Sequence, residues 1–357
     1  MRALHQITDP VFEKRTWSKM DQFFLKMIRD ERDLPFVYLA IKITLTLIPS
    51  AILLYTPLLQ SPYWGAWGVI HFILCIVVFL GPYTLMLHNT SHRPFFKREH
   101  NALNKFIPWI LGPFMGQSPD LYFMHHMGMH HAEGNMPEDK SSTMPFQRDS
   151  FRGFLHYYLR FLFIGVIELA QYFLGKKRSS IARKAAMVEY GYYVVLFLLA
   201  MLNFGATMVV FVVPLLIIRL AMMSGNWGQH AFVDPDEPNN DYKSSITCIN
   251  TPYNQKCFND GYHIGHHQVP NMHWTDMPVD FQKNIDKYVA NQSLIFEGLD
   301  FQQVFLFLMF KKYDKLTDYM VNINGDTFKD KEEAIAIMKK RLKRFPKERL
   351  EHYISQA

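Results

Sequence analysis

Four apolar runs, residues 36–55, 67–87, 187–203 and 206–224, set the limits on what this 357-residue chain can fold into. A hydrocarbon core of about 30 Å takes roughly 20 helical residues to cross. Inside it every backbone N–H and C=O must be bonded within the protein, which favours helices over open strands. All four runs meet that length or come close to it. The expected fold class is therefore all-α: a multi-pass membrane helical bundle of about four transmembrane helices, with a cytoplasmic histidine-rich helical cap. Composition alone would hide this, since 49% hydrophobic and 20% charged residues are unexceptional. The charge lies almost entirely between the runs.

The runs pair into two hairpins, one turning through residues 56–64 and the other at 203–205, and neither turn carries a charge. Lys14, Arg15, Lys19, Lys26, Arg29 and Arg32, the long loop between the second and third runs, and everything after the fourth share the opposite face. The positive-inside rule makes that face cytoplasmic. Lys42, Glu189 and Arg219 are the charges inside the runs, all toward the same ends, where the two basic side chains can reach the headgroups. A single re-entrant hairpin remains an alternative for the third and fourth runs, because they are closely spaced and Pro214 is expected to kink the last.

Residues 106–115, interrupted by Pro108 and Pro113, and residues 151–174, carrying Arg152, His156, Arg160 and Glu168, are apolar but are expected to lie in the interface. A single charged helix is expected over 331–353. Its cluster Lys339, Lys340, Arg341, Lys343 and Arg344 suits a solvated face near anionic headgroups or a dock for an acidic electron carrier. The expected organisation is a cytoplasmic segment 1–35, a membrane domain 36–280 and a cytoplasmic basic helical region 281–357. Cys75, Cys248 and Cys257 form no C-x-x-C pair and read as ordinary thiols. The first thirty residues lack the apolar core of a cleavable signal, so the first run is expected to stay in the membrane.

Eleven of the sixteen histidines fall in three clusters and one outlier beside these runs. They are His88 and His92; His125, His126, His130 and His131; His263, His266, His267 and His273; and His230. Histidines four apart on a helix share a face, with Cβ atoms about 6 Å apart. His88 and His92 have that spacing. In the second cluster His126 and His130 are expected to be co-facial, with His131 turned toward a neighbouring site. His263, His266 and His267 repeat the logic, and His230 follows the fourth run directly. Two, three, one and three give nine ligands, enough for two metal ions of four or five imidazoles each with positions left open. One zinc needs only about four. His125 and His273 read as secondary; His5, His100, His156 and His352 read as surface or hydrogen-bonded residues, and His71 as a packed one.

Imidazole suits iron, copper and zinc, and open positions on iron are what oxygen activation requires. The chain has no H-E-x-x-H zinc-protease motif and no G-x-x-x-x-G-K phosphate loop, and the ferritin-type glutamate-histidine pattern is absent. A transporter would place its ligands inside the spans rather than beside them, which leaves a zinc transporter or receptor as the remote alternative.

The three boxes His88-x-x-x-His92, His126-x-x-x-His130-His131 and His263-x-x-His266-His267 resemble those of the membrane fatty acid desaturases and their alkane hydroxylase relatives, over roughly residues 35–280. Residues 135–142, with Pro137-Glu138-Asp139, look like a segment of alkane hydroxylases. Asn226-Trp227-Gly228-Gln229-His230 looks like their Asn-Tyr-x-Glu-His element, with Gln229 in place of the glutamate. The resemblance implies two iron ions, molecular oxygen as co-substrate and a long acyl or alkyl chain held beneath the metals. His88, His92, His126, His130, His131, His230, His263, His266 and His267 would be the ligands, and Asn226 would hold an iron-bound water. Asp120, Glu133, Asp139 and Asp276 are the carboxylates that could orient imidazole N–H groups.

The chain has no His-Pro-Gly-Gly run, so the electron donor is expected to be a separate ferredoxin, or a b-type cytochrome with its reductase. The other expected partners are membrane lipid and the long-chain substrate, with no nucleic acid. The leading expectation is an acyl-chain desaturase, an integral protein of a bacterial inner membrane or the endoplasmic reticulum with its active site on the cytoplasmic face. Hydroxylation, and oxidative decarboxylation to a terminal alkene, would use the same ligand set.

Overall fold

The computed structural model describes residues 1–356 and divides into two compact units. Unit 1 comprises residues 1–12, 128–168 and 221–357; unit 2 comprises 13–127 and 169–220. The C-terminal region belongs to the same unit as box three and as His130 and His131 of box two.

The long helices are α1 (Glu31–Tyr55), α2 (Tyr63–His92), α4 (Phe151–Gly175), α5 (Ser179–Leu202) and α6 (Phe204–Gln229), each long and apolar enough to cross a membrane. Between them, α3 covers 121–133 and carries the second histidine box. The four apolar runs fall in α1, α2, α5 and α6, except that Asn203 leaves the helix and caps α6 by accepting from the Ala206 N–H at 3.0 Å. Pro214 does not break α6. It stands just after a π turn, Met208–Val212, whose wider spacing absorbs the hydrogen bond that proline cannot make.

Residues 151–174, expected to lie in the interface, form a fifth helix that is long and apolar enough to cross a membrane. Arg160 reaches two turns along α4 and forks onto the Glu168 carboxylate at 2.7–3.1 Å, so two of its charges neutralise each other. The continuous helix runs 25 residues and leaves Phe163, Ile164, Ile167 and Leu174 exposed.

Unit 2 is held by close backbone approach and by polar side chains bonded between helices. The Trp64 and Trp67 indoles donate to the Leu54 and Ser50 carbonyls of α1, and Tyr55 meets Thr207 at 2.7 Å. Gly116, at φ +61°, lies where a Cβ would come within 2.6 Å of the Leu215 Cα. A buried polar cluster joins α5 to α6: Arg219 donates to Glu189 at 2.7 and 3.1 Å, and Ser118 and Tyr193 also bond that carboxylate. Glu189, placed near water from sequence, is 2% exposed. His71 is packed, with Nδ1 on the Ser50 hydroxyl at 3.0 Å.

Unit 1 contains strands that the all-α expectation lacked. β1 (Ile246–Ile249) and β2 (Leu294–Glu297) pair in parallel, Ile246 opposite Leu294. Both strands are buried throughout, as is usual for a parallel pair covered on both faces, although Thr247 and Glu297 interrupt their apolar sequence. They pack with Phe301, Val304, Leu308, Leu316, Met338 and Leu342 into one core. The C-terminal charged stretch is two helices, α8 (Lys331–Arg341) and α9 (Lys347–Gln356), following the short box-three helix α7 (His263–Gln268). Pro346 stops a single helix, and Phe345 is buried against Met144 and Val233. The basic cluster is correspondingly divided. Arg341 is buried and bonded to Asp234 and to the Asn291 and Gln292 carbonyls, and Lys340 pairs with Asp236.

Candidate metal centre

In unit 2 the helical spacing of box one does what it predicts. His88 and His92 project from the last turns of α2 with ring centroids 5.1 Å apart, and His126 from α3 meets both. The Nε2 atoms of His92 and His126 are 2.9 Å apart, and Tyr122 stacks on His126 one turn earlier. His126 and His130, expected to be co-facial, fall in different groups of close ring nitrogens, and residues His126–His130 form a π turn, which changes the angle between positions four apart. His130 belongs instead to a group in unit 1.

That group is His130, His230 and His267, with ring nitrogens all within 4.8 Å of one another. His263 adjoins it, its Nε2 lying 3.0 Å from His230 Nε2 and 3.1 Å from His267 Nε2. Here the i, i+4 pairing within box three does hold. The remaining two boxed rings make a second pair, His131 Nε2 to His266 Nε2 at 3.0 Å. His125 and His273 have no ligand atom in these groups, and His273 instead bonds Thr275 at 2.8 Å.

These nitrogens fit a metal. Two imidazoles bound to one ion at about 2.1 Å and at right angles stand about 3.0 Å apart, the separation repeated in each pair. Metal binding also needs neutral rings. Burial, with the His130 charge second, pushes His230 down to about 3, and burial with the neighbouring imidazoles holds His267 well below its ordinary value.

The rings are held from behind. Asp139, one of the proposed orienting carboxylates, accepts from His130 Nδ1 at 2.7 Å. Asp120 turns instead to Lys105 and Lys184, at 2.8 and 2.6 Å. Several positioning groups had no sequence signal: the Ser244 carbonyl and Ser245 hydroxyl lie 3.4 and 3.2 Å from His230 Nδ1, and Thr143 donates to the His230 carbonyl at 2.6 Å. Arg148, fully buried, donates to the carbonyls of Ala231, Arg341 and Lys343 at 2.7 Å each. It thereby ties the stretch after α8 to the residue following His230. Asn226 donates to Ser141 O and Tyr157 OH, which occupies its amide nitrogen, while Gln229 reaches Asp260 at 3.5 Å.

Residues 61–294 match the fatty acid desaturase family. The chain belongs to that family. No curated protein and no solved structure matches it. Membership makes this desaturase-family chain an oxidoreductase by kinship, of a family that generally carries two irons, acts on lipid and draws electrons from a separate donor. With its five apolar helices it is an integral membrane protein.

Proposed function

We propose that this chain is a membrane di-iron, oxygen-dependent oxidoreductase that introduces a double bond into a long acyl chain. The observation that carries the reading is the gathering of nine imidazoles, seven of them in close Nε2 pairs, in a member of this family. His88, His92, His126, His130, His131, His230, His263, His266 and His267 would hold the two irons. Bound there, the irons supply the oxygen chemistry that takes hydrogen from unactivated C–H bonds. The chain's own residues do the rest: buried His230 and His267 stay neutral and keep their lone pairs, Asp139 holds His130, and Thr143 and Arg148 fix the backbone at His230 and Ala231. Asn226, one helical turn before His230, is the proposed holder of a metal-bound water.

We read α5 and α6 as crossing the membrane and α4 as lying along its surface, because α4 is the least apolar of the five and contains Arg160 and Glu168. With α1 and α2 this gives four crossings, and the basic N-terminal segment and the boxes share the cytoplasmic face. The electron donor is a separate ferredoxin or b-type cytochrome.

The test is lipid and hydrocarbon profiling of a host expressing the chain with a matched donor, against one expressing His130→Ala. New double bonds that depend on His130 are expected. New alcohols or terminal alkenes without them would replace desaturation by hydroxylation or decarboxylation. A single zinc in anaerobically purified protein would end the di-iron reading.

A further inference from the structure

Asp139 is buried to 2% exposure, and both oxygens of its carboxylate accept hydrogen bonds. Oδ2 accepts from His130 Nδ1 at 2.7 Å, and Oδ1 accepts from Ser141 N–H at 2.8 Å and from Ser141 Oγ–H at 2.6 Å. A buried carboxylate is costly unless its lone pairs are filled, and here donors fill them. The loop presenting it is rigid for reasons of its own. Asn135 stands at φ +61° and takes the Thr143 N–H at 2.9 Å, and the Asp139 N–H closes a turn on the Met136 carbonyl at 2.9 Å. Ser141 in turn offers its carbonyl to Asn226 at 3.2 Å and to Tyr157 at 3.1 Å, which ties the loop to α6 one turn before His230.

Within the group of three, the backing of the rings differs. His230 Nδ1 faces the neutral Ser244 carbonyl and Ser245 hydroxyl at 3.4 and 3.2 Å, and His267 Nδ1 has Asp241 only at 3.8 Å. His130 has a carboxylate in full contact. A carboxylate only accepts, so the proton must sit on His130 Nδ1 and the lone pair on Nε2, the nitrogen available to a metal. An amide in the same place would reverse this. Its oxygen can still serve Ser141, but its NH2 would face Nδ1, which must then accept and leave Nε2 protonated.

We propose that Asp139 is a positioning residue: it fixes the tautomer and orientation of His130, and so sets the affinity of the metal position built on His130, His230 and His267. This rests on the metal reading of the histidines, and its test separates the two. The full chain, purified in detergent and stripped of metal, is titrated anaerobically with Co(II) and followed by its visible absorption. The wild type is expected to take two ions. Asp139→Asn is expected to weaken one of them about 10- to 100-fold, with an altered spectrum, and to leave the other unchanged. Asp139→Glu, which restores an accept-only group, should recover most of the loss, and the metal-free Asp139→Asn protein should melt within a few degrees of wild type. Equal binding of both ions by Asp139→Asn, equal weakening of both, or collapse of its metal-free melting temperature would overturn the proposal. A wild type that binds no cobalt would instead remove the metal reading on which it stands.

Discussion

The histidine sets of the two units reach similar spacing by different means. In unit 2, His88 and His92 are neighbours because a helix makes positions four apart neighbours, and the remaining ring, His126, arrives on the next histidine-bearing helix beside its stacked Tyr122. In unit 1 the six rings come from three separated stretches, and polar groups from elsewhere hold them: Asp139 on His130, Ser244 and Ser245 on His230, Arg148 on the carbonyl of Ala231. The first set is nearly built by secondary structure. The second exists only while the loops and the C-terminal helices stay packed.

That contrast can be broken at several points. The largest effect is expected from His88→Ala with His92→Ala: product formation falls below detection and metal analysis gives one iron per chain instead of two. Retention of both irons would show that the unit 2 rings are not ligands. Next is the buried pair within unit 2. Glu189→Ala leaves Arg219 uncompensated among α5 and α6, expected to cost about 3–5 kcal/mol and to lower the melting temperature steeply. Adding Arg219→Leu should return most of it.

A smaller and more local loss is expected from glycines where backbones touch. At Gly228 a Cβ would stand 2.5 Å from the Phe301 carbonyl oxygen, and at Gly116 2.6 Å from the Leu215 Cα. Alanine at either should cost on the order of 1–3 kcal/mol. Gly228→Ala, two residues from His230, should in addition lower cobalt affinity, whereas Gly116→Ala should leave it alone. Similar cobalt binding in both variants would erase the proposed dependence of the unit 1 rings on packing.

The smallest effect belongs to Asp120. Burial raises its carboxyl, but Lys105 and Lys184 outweigh that and hold it below the usual value. A carboxylate depressed on folding stabilises above its unfolded pKa of about 4, and that contribution is lost as pH falls through the folded value. Because both lysines are largely exposed, Asp120→Asn should cost only about 1 kcal/mol at pH 7. It should also flatten the acid side of the stability profile, and an unchanged profile below pH 4 would remove the ion pairs from the account.

Much of the site was legible because its signals are local. Box spacing named the clustered rings, and apolar run lengths placed α1, α2, α5 and α6. The misreadings share a cause, which is that partners distant in sequence or out of register decided the outcome. Residues 151–174 form one continuous helix in which Arg160 and Glu168 cancel two turns apart, a pairing that the charges read one by one did not suggest. A π turn separated His126 from His130, and no periodicity in the sequence announces it. Arg341 looked like part of a docking face until Asp234 and two carbonyls enclosed it.

By itself the sequence determined that this chain lives in a membrane and gathers imidazoles beside its apolar helices, because hydrophobic length and helical spacing act through neighbours along the chain. Only the tertiary structure decided which rings share a group, that Asp139 backs His130, and that Arg148 braces the segment after His230 from a loop more than eighty residues away. Those choices depend on hydrogen bonds between distant segments, and a linear pattern does not encode their distances.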